Sequence, residues 1–162
     1  MNTMKWIISI LTFCFLLSCV DRNSVRIDKE ILNGWNLEEP IKFEITDTID
    51  FSSNIFFYVR NNNDYPFSNI FLIASLKSNK KVYETDTLEY VMANNKGEWL
   101  GKGFSSIKES KLSWKRNWKP FFSPPYIFEI KQANRKIGQI KGDKNLFGIL
   151  SLGLSIEKIS NE

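Results

Sequence analysis

Hydrophobic and polar residues alternate along much of the chain beyond residue 35, and the alternation is clearest in its last quarter. There, Leu150, Leu152, Leu154 and Ile156 are separated by small or polar residues. A period of two is typical of a β-strand with one buried face, so this pattern predicts that Leu152 and Leu154 point into a core. Alternation, or a short aromatic and β-branched run, also predicts strands at residues 41–45, 55–59, 70–76, 82–84, 87–92 and 126–130.

Clusters of turn-forming residues separate these segments, and helical periodicity is weak throughout. The clusters contain Asn, Asp, Gly, Ser and Pro and lie at residues 61–66, 94–97, 123–125 and 142–145. One short helix is predicted within residues 105–114. Many short strands without helical crossovers favour an all-β fold, a single antiparallel β-sandwich formed by residues 35–162. The pattern leaves its strand order open between a jelly roll and an immunoglobulin-like arrangement.

The first residues have the features of an export signal. Lys5 precedes an uncharged, mostly apolar run at residues 6–17, which is shorter than the roughly 20 residues that a membrane-spanning helix needs. The run ends in Leu16-Leu17-Ser18-Cys19, which resembles a bacterial lipobox. We therefore predict a signal peptide at residues 1–18 and lipidation of Cys19, with a plain signal peptide as the alternative. Two or three acyl chains, such as palmitate, would hold the chain on a membrane.

Residues 19–34 are predicted to be a lipidated tether, because their charges are mixed and aromatic residues are few before residue 35. Such a tether would keep the folded domain beside the membrane that holds the lipid. The remaining cysteine, Cys14, lies in the segment that export would remove, so neither a disulfide nor a free thiol is expected in the mature protein.

The composition argues against most enzyme mechanisms. Histidine is absent, which removes the usual general base near neutral pH and the commonest transition-metal ligand. The glycines of residues 97–103 lack the spacing of a phosphate-binding loop. The acidic residues at 84–89 match no EF-hand loop and are interpreted as a solvent-facing strand edge. No catalytic residue, cofactor-binding residue or metal ligand is assigned, and no cofactor is expected.

Charge is distributed unevenly between the two halves of the mature chain. Residues 19–90 carry 8 Lys and Arg against 12 Asp and Glu, whereas residues 91–162 carry 13 against 6. Because the chain is expected to be exported, neither nucleic acid nor a nucleotide is expected as a partner of the basic half. Acidic protein surfaces, anionic lipids or envelope polymers are the partners that this charge favours.

Two segments combine aromatic residues with turn or basic residues and form a candidate partner surface. Residues 61–68 predict either a rigid loop between two core strands or a loop that displays its aromatic side chains to a partner. Residues 111–119 contain either core indoles flanked by solvated lysines or an edge that binds sugars and anions. The residues of this candidate surface are Tyr65, Phe67, Trp114, Lys115, Arg116 and Trp118.

Five segments resemble, in the same order, those of the GldH family of gliding-motility lipoproteins in the Bacteroidota. The longest reads NNNDYPFSNIFLI at residues 61–73, and the others lie at residues 86–90, 97–103, 132–135 and 153–158. This chain departs from the family pattern at Asn134, where a larger apolar residue is expected, and in its more basic stretch at residues 111–119.

The resemblance implies an envelope lipoprotein without catalytic activity that supports the gliding-motility apparatus and the associated secretion machinery. Its partners would be other envelope lipoproteins or proteins of that machinery. Residues 20–23 lack the acidic run expected after the cysteine of surface-exported lipoproteins in this phylum. We therefore expect the outer membrane, with the domain on its periplasmic face. The alternative function is a glycan-binding envelope lipoprotein, suggested by the indoles and lysines of residues 111–119.

Overall fold

Ten β-strands make up the regular structure of residues 24–159, which are the residues that the computed structural model describes. Within this range, no helix is long and apolar enough to span a membrane. The strands are β1 (Ser24–Glu30), β2 (Trp35–Asn36), β3 (Ile41–Ile45), β4 (Ser53–Asn61), β5 (Asn69–Ser78), β6 (Lys81–Val91), β7 (Lys108–Trp118), β8 (Tyr126–Gln132), β9 (Asn145–Leu146) and β10 (Ile149–Lys158).

Two four-stranded antiparallel sheets pack face to face, which confirms the predicted β-sandwich. The first sheet has the order β1-β10-β4-β7 and the second has the order β3-β8-β5-β6, while β2 and β9 form a small ribbon. The pairs β1–β10, β3–β8, β4–β7 and β5–β6 are nested, as if one long hairpin had been rolled up. This nesting is the jelly-roll arrangement, so the structure decides between the two strand orders left open above.

The loops gather at two opposite ends of the sandwich. At the first, Ser24 lies opposite Glu157, Lys158 opposite Ser53, and Ser53 opposite Trp118. We call this the proximal end, because it holds the first described residue; its loops are residues 46–52, 79–80 and 119–125. We call the other end the distal end, and its loops are residues 31–40, 62–68, 92–107 and 133–148.

The side chains between the two sheets form one apolar core. Leu152 and Leu154 are fully buried, as the alternation predicts. Leu150 is only half-buried, because the register shifts between Ile149 and Ser151 and brings Ile149 inward in its place. The largest fully buried side chains are Tyr126, Phe43, Phe57, Phe128, Ile55, Ile70, Leu72, Leu76, Met92, Ile130, Leu146 and Ile149.

Two predicted elements differ from the observed ones. The helix expected within residues 105–114 is wrong, because Lys108–Trp118 is a strand whose residues 110, 112 and 114 face the core and pair alongside β4. The two short strands expected at 82–84 and 87–92 are one strand, Lys81–Val91, which pairs with β5 along its length with one register shift between Leu76 and Lys77.

Residues 24–34 depart from the predicted tether, since Ser24–Glu30 pairs along its whole length with β10. All but one of the residues in this strand are exposed, and Ile27 alone is half-buried. An edge strand that carries so many charges looks like a linker in the sequence, because charged side chains protect edges from unwanted pairing. Residues 24–30 therefore belong to the sandwich rather than to a tether, and four residues, 20–23, lie between Cys19 and the first described residue.

Candidate functional site

Trp114 and Trp118 lie in the core, which corrects their assignment to a partner surface. The Trp114 ring stacks on Phe57 at 5.1 Å between centroids and meets Phe128 edge-on at 6.0 Å. The Trp118 ring packs against those of Tyr126 and Phe128, with 6.1 Å between the ring centroids in each pair. The exposed fractions of the two indoles are only 9% and 6%. Neither indole face is therefore available for stacking on a sugar.

Tyr65 is also buried, so residues 62–68 form a rigid connection rather than a display of aromatic residues. Its hydroxyl donates a hydrogen bond to the Asn69 carbonyl at 2.7 Å, and its ring lies 5.9 Å from that of Phe67 and 6.0 Å from that of Trp99. Burial raises the pKa of Tyr65, which keeps this donor protonated. Phe67 is half-buried against the core. Gly148, at φ +79°, runs against the Tyr65 backbone, where a Cβ would overlap it.

Lys115 joins the edges of the two sheets instead of facing a partner. Its Nζ lies 2.7 Å from a carboxylate oxygen of Glu84 and 2.7 Å from one of Asp86. Trp114 Nε1 donates to the same Asp86 oxygen at 2.9 Å. Arg116 is exposed and is the most accessible of the six predicted surface residues. Among residues 24–159, no group of three or more His, Cys, Asp or Glu side chains is arranged to hold a metal.

An arginine spans the outer face of the first sheet, a feature that the sequence analysis missed. Arg26 on β1 lies over the Tyr58 ring at 3.8 Å from its centroid and donates to Glu109 on β7 at 2.8 Å and to Asp28 at 2.9 Å. A Cβ at Gly153, which lies between them on β10, would overlap the Asp28 carboxylate. The contact joins the first strand to the opposite edge of the sheet. A glycine inside an alternating strand was the signal available in the sequence.

Large apolar side chains are concentrated in the exposed loops of the distal end. Ile137 and Ile140 are exposed to 105% and 95% in the loop of residues 133–148, and Phe104 is exposed to 93%. We call the exposed large apolar side chains of these loops the distal apolar surface: Leu32, Leu100, Phe104, Ile107, Ile137, Ile140 and Phe147. Four exposed cations, Arg135, Lys136, Lys141 and Lys144, lie in the same loop as the two isoleucines. Exposed apolar groups rimmed by charge are typical of interaction sites.

Comparison with known proteins matches the sequence of this chain to one family. The family described as GldH lipoprotein matches residues 26–156, which is nearly the whole described domain. The chain belongs to the GldH lipoprotein family. A "Gliding motility lipoprotein GldH homolog" of Christiangramia forsetii is 40% identical over 163 residues, which cover 98% of this chain and 100% of that protein. The "Gliding motility lipoprotein GldH" of Flavobacterium johnsoniae is 37% identical, covering 93% and 94%.

Residues 132–135, one of the GldH-like segments, form a hydrogen-bonded cluster at the base of the loop of residues 133–148. We call this cluster the node around Asn134. Asn134 is 1% exposed; its Oδ1 accepts from the Phe71 backbone at 2.9 Å and its Nδ2 donates to the Asn69 carbonyl at 3.1 Å. Gln132 Nε2 donates to the Asp143 carbonyl at 2.7 Å. Asn134 replaces an expected apolar residue without leaving its side-chain amide unpaired. The node fixes both ends of the segment that carries Ile137 and Ile140.

Three carboxylates of this GldH-family domain are held charged by neighbouring lysines. Glu157 lies 2.8 Å from Lys111, and Glu129 lies 2.7 Å from Lys77. Burial alone would raise the pKa of Glu157, Glu129 and Asp86, but hydrogen bonds and charge from the lysines lower it below the ordinary value. The folded state therefore binds fewer protons than the unfolded state in mild acid.

The free energy of unfolding is expected to decrease as the pH is lowered, because these carboxylates become protonated. The contribution is complete above the ordinary carboxyl pKa of about 4 and is lost as the pH falls through the lowered folded pKa values. Urea denaturation from pH 7 down to pH 3 measures it. Lys111→Met removes the cation beside Glu157 and should make the decline shallower. A variant that loses stability as steeply as the wild type would contradict this assignment.

Proposed function

We propose that this chain is an outer-membrane lipoprotein, anchored through lipid on Cys19 with its domain facing the periplasm. Its role is that of a non-catalytic structural component, which supports the gliding-motility apparatus and the associated secretion machinery. Membership of the GldH lipoprotein family supports the motility role. The lipobox at residues 16–19 and the absence of an acidic run at residues 20–23 support the anchor and the periplasmic face.

The observation that carries the scaffolding role is the distal apolar surface. Ile137 and Ile140 are almost fully exposed, although isoleucine side chains gain roughly 1.5–3 kcal/mol from burial. The ends of their loop are held by the node around Asn134, which restricts the conformations that the loop can adopt. Binding a preorganised loop avoids part of the entropic cost of association. The distal apolar surface is therefore the part of the described domain best suited to receive a partner.

The charge around the two isoleucines specifies the partner's chemistry. Arg135, Lys136 and Lys141 are exposed beside them. The complementary surface is a protein with an apolar pocket whose rim carries Asp and Glu. Charge complementarity of this kind chooses among partners and speeds association, and it makes the contact weaker in high salt.

The glycan-binding alternative loses the observation that suggested it. It required the indoles of Trp114 and Trp118 at the surface, where flat aromatic faces could stack on sugar rings. Both rings are packed against other aromatic residues in the core.

Site-specific photo-crosslinking in the native envelope tests the proposed role. A photoreactive residue at Ile137 is expected to capture proteins of the motility or secretion machinery. The same residue at Glu44, which is exposed on the outer face of the second sheet, is the matched control and should capture few of them. Ile137→Ser with Ile140→Ser should abolish the contact without changing the thermal stability, because neither side chain packs in the core. Capture of glycan-transport proteins instead, or equal capture at both positions, would contradict the proposal.

A further inference from the structure

A second exposed surface, of different composition, lies at the proximal end. The rings of Tyr83 and Phe122 are stacked at 3.8 Å between centroids, and Phe121 meets them edge-on at 5.6 and 5.2 Å. Phe121 remains 64% exposed. Five exposed cations lie at the same end, and we call them, with the three rings, the proximal patch: Lys80, Lys81, Arg116, Lys119 and Lys158.

The strand registers place the proximal patch beside the start of the folded chain. Ser24 is in register with Glu157, next to Lys158. Across the sandwich, the Trp118 ring contacts Tyr126, whose ring also lies 5.5 Å from that of Phe122. The hairpin that carries Lys80 and Lys81 ends at the same level, since the Ser78 hydroxyl donates to the Ser123 carbonyl.

Chain length limits how far this end can lie from a lipid on Cys19. The five Cα–Cα steps from Cys19 to Ser24 span at most about 18 Å. By contrast, the nine residues of β4 alone extend for about 30 Å toward the distal end. An acylated Cys19 therefore keeps the proximal patch near the bilayer, while an upright sandwich carries the distal apolar surface away from it.

The chemistry of the patch suits the surface of an anionic bilayer. Tyr is enriched at the level of the lipid headgroups, and Phe is among the residues that interfacial segments bury at the boundary between headgroups and acyl chains. A basic residue near an anionic surface strengthens binding about fivefold. The exposed carboxylates in the neighbouring loop are Asp47 and Asp50, which leaves the cations in excess. The exposed Phe121 packs against Tyr83, and the Nζ of Lys81 lies 4.7 Å from the centroid of the Tyr83 ring, so an apolar ring and a cation are presented side by side.

We propose that the proximal patch rests on the anionic surface of the membrane that holds the lipid, and that this contact keeps the sandwich upright. Phe121 enters the headgroup layer, and Lys80, Lys81 and Lys119 pair with lipid phosphates. The proposal rests on the proposed lipidation of Cys19. It adds an orientation that a lipid on a short linker does not impose, with the distal apolar surface directed toward a partner.

Fluorescence quenching in vesicles tests this orientation with the full lipidated protein. The protein carries a fluorophore on Ser123→Cys at the proximal end or on Gln139→Cys at the distal end, both exposed positions. It is reconstituted into phosphatidylethanolamine and phosphatidylglycerol vesicles that contain a headgroup spin label. The label at position 123 is expected to be strongly quenched and the label at position 139 to keep its emission. Equal quenching of the two labels, or stronger quenching at position 139, would overturn the proposal.

Charge reversal tests whether the patch causes the orientation. Lys80→Glu with Lys81→Glu and Lys119→Glu should bring the quenching at position 123 down toward that at position 139. The matched variant, Lys136→Glu with Lys141→Glu and Lys144→Glu, changes the net charge equally at the distal end and should leave the quenching unaltered. Quenching that persists in the first variant, or in phosphatidylcholine vesicles without anionic lipid, would refute a role for the cations.

Mass spectrometry of the purified protein separates a failure of the anchor from a failure of the orientation. A chain without acyl groups refutes the proposed lipidation. For such a chain, the patch still predicts flotation with phosphatidylglycerol vesicles that the proximal charge-reversal variant loses. Flotation of both charge-reversal variants to the same extent would overturn the orientation, whatever the state of Cys19.

Discussion

Trp114→Ala is expected to lower the free energy of unfolding by about 3–5 kcal/mol, the range for large aromatic residues removed from a core. The indole contacts Phe57 in its own sheet and Phe128 in the opposite one, so its loss opens a cavity between the sheets. The variant also leaves Asp86 without the indole hydrogen bond. Urea denaturation of the purified protein measures the change, and the midpoint should fall without a large change in slope.

Arg116→Ala is the matched control, because this neighbour is exposed and has no partner among the ion pairs of the described residues. It should unfold within about 0.5 kcal/mol of the wild type. The opposite result would be a Trp114→Ala variant with the same urea midpoint as the wild type but without the photo-crosslinks to envelope proteins. That result would restore the partner-surface interpretation of residues 111–119 and overturn the core position described here.

Local alternation was enough to predict most strands, but it says nothing about which strands pair. Residues 41–45 are predicted as a strand and form β3 with the same bounds. The pairing of β1 with β10, by contrast, joins residues more than a hundred positions apart, and both jelly-roll and immunoglobulin-like orders satisfy the same alternation. Strand order is decided by the packing of whole sheets, which no short segment encodes.

The candidate surface was misassigned because a strand that bears lysines on one face looks amphipathic whichever face is buried. Trp114 faces inward between Ser113 and Lys115, as simple alternation requires. Trp118 has the same parity as Trp114 and is also buried, whereas Arg116 between them breaks the alternation and is exposed. Near Arg116 the register against β4 shifts and Asn117 adopts a positive φ of 52°. The sequence offered no sign of that local change.

The exposed isoleucines and the short linker were missed for related reasons. Ile137 and Ile140 lie in a segment with glycines and lysines that overlaps the turn cluster of residues 142–145 only in part. Two isolated apolar residues do not indicate a surface. The place of their loop in the fold depends on the node around Asn134, whose contacts with Phe71 and Asn69 come from distant parts of the chain. Likewise, the strand character of residues 24–30 depends on β10, which completes the sheet beside it.

Cys19→Ser is expected to abolish lipidation and to release the protein from the membrane. Each buried methylene of an acyl chain contributes about 0.8 kcal/mol, so removing two or three chains eliminates most of the attachment free energy. The proximal patch alone then offers only a reversible, salt-sensitive contact. Labelling of cells with a fatty-acid analogue, followed by membrane fractionation, measures both effects.

Folding should survive the substitution, because the described structure begins at Ser24 and its first strand is held by β10 and by Arg26. The released variant should therefore have the same melting temperature as the acylated protein. Cys14→Ser is the matched control: it removes the other cysteine, which lies inside the predicted signal peptide, and should leave labelling intact. Equal labelling of Cys19→Ser and the wild type would refute Cys19 as the acylated residue. It would also remove the limit of about 18 Å that places the proximal end beside the bilayer.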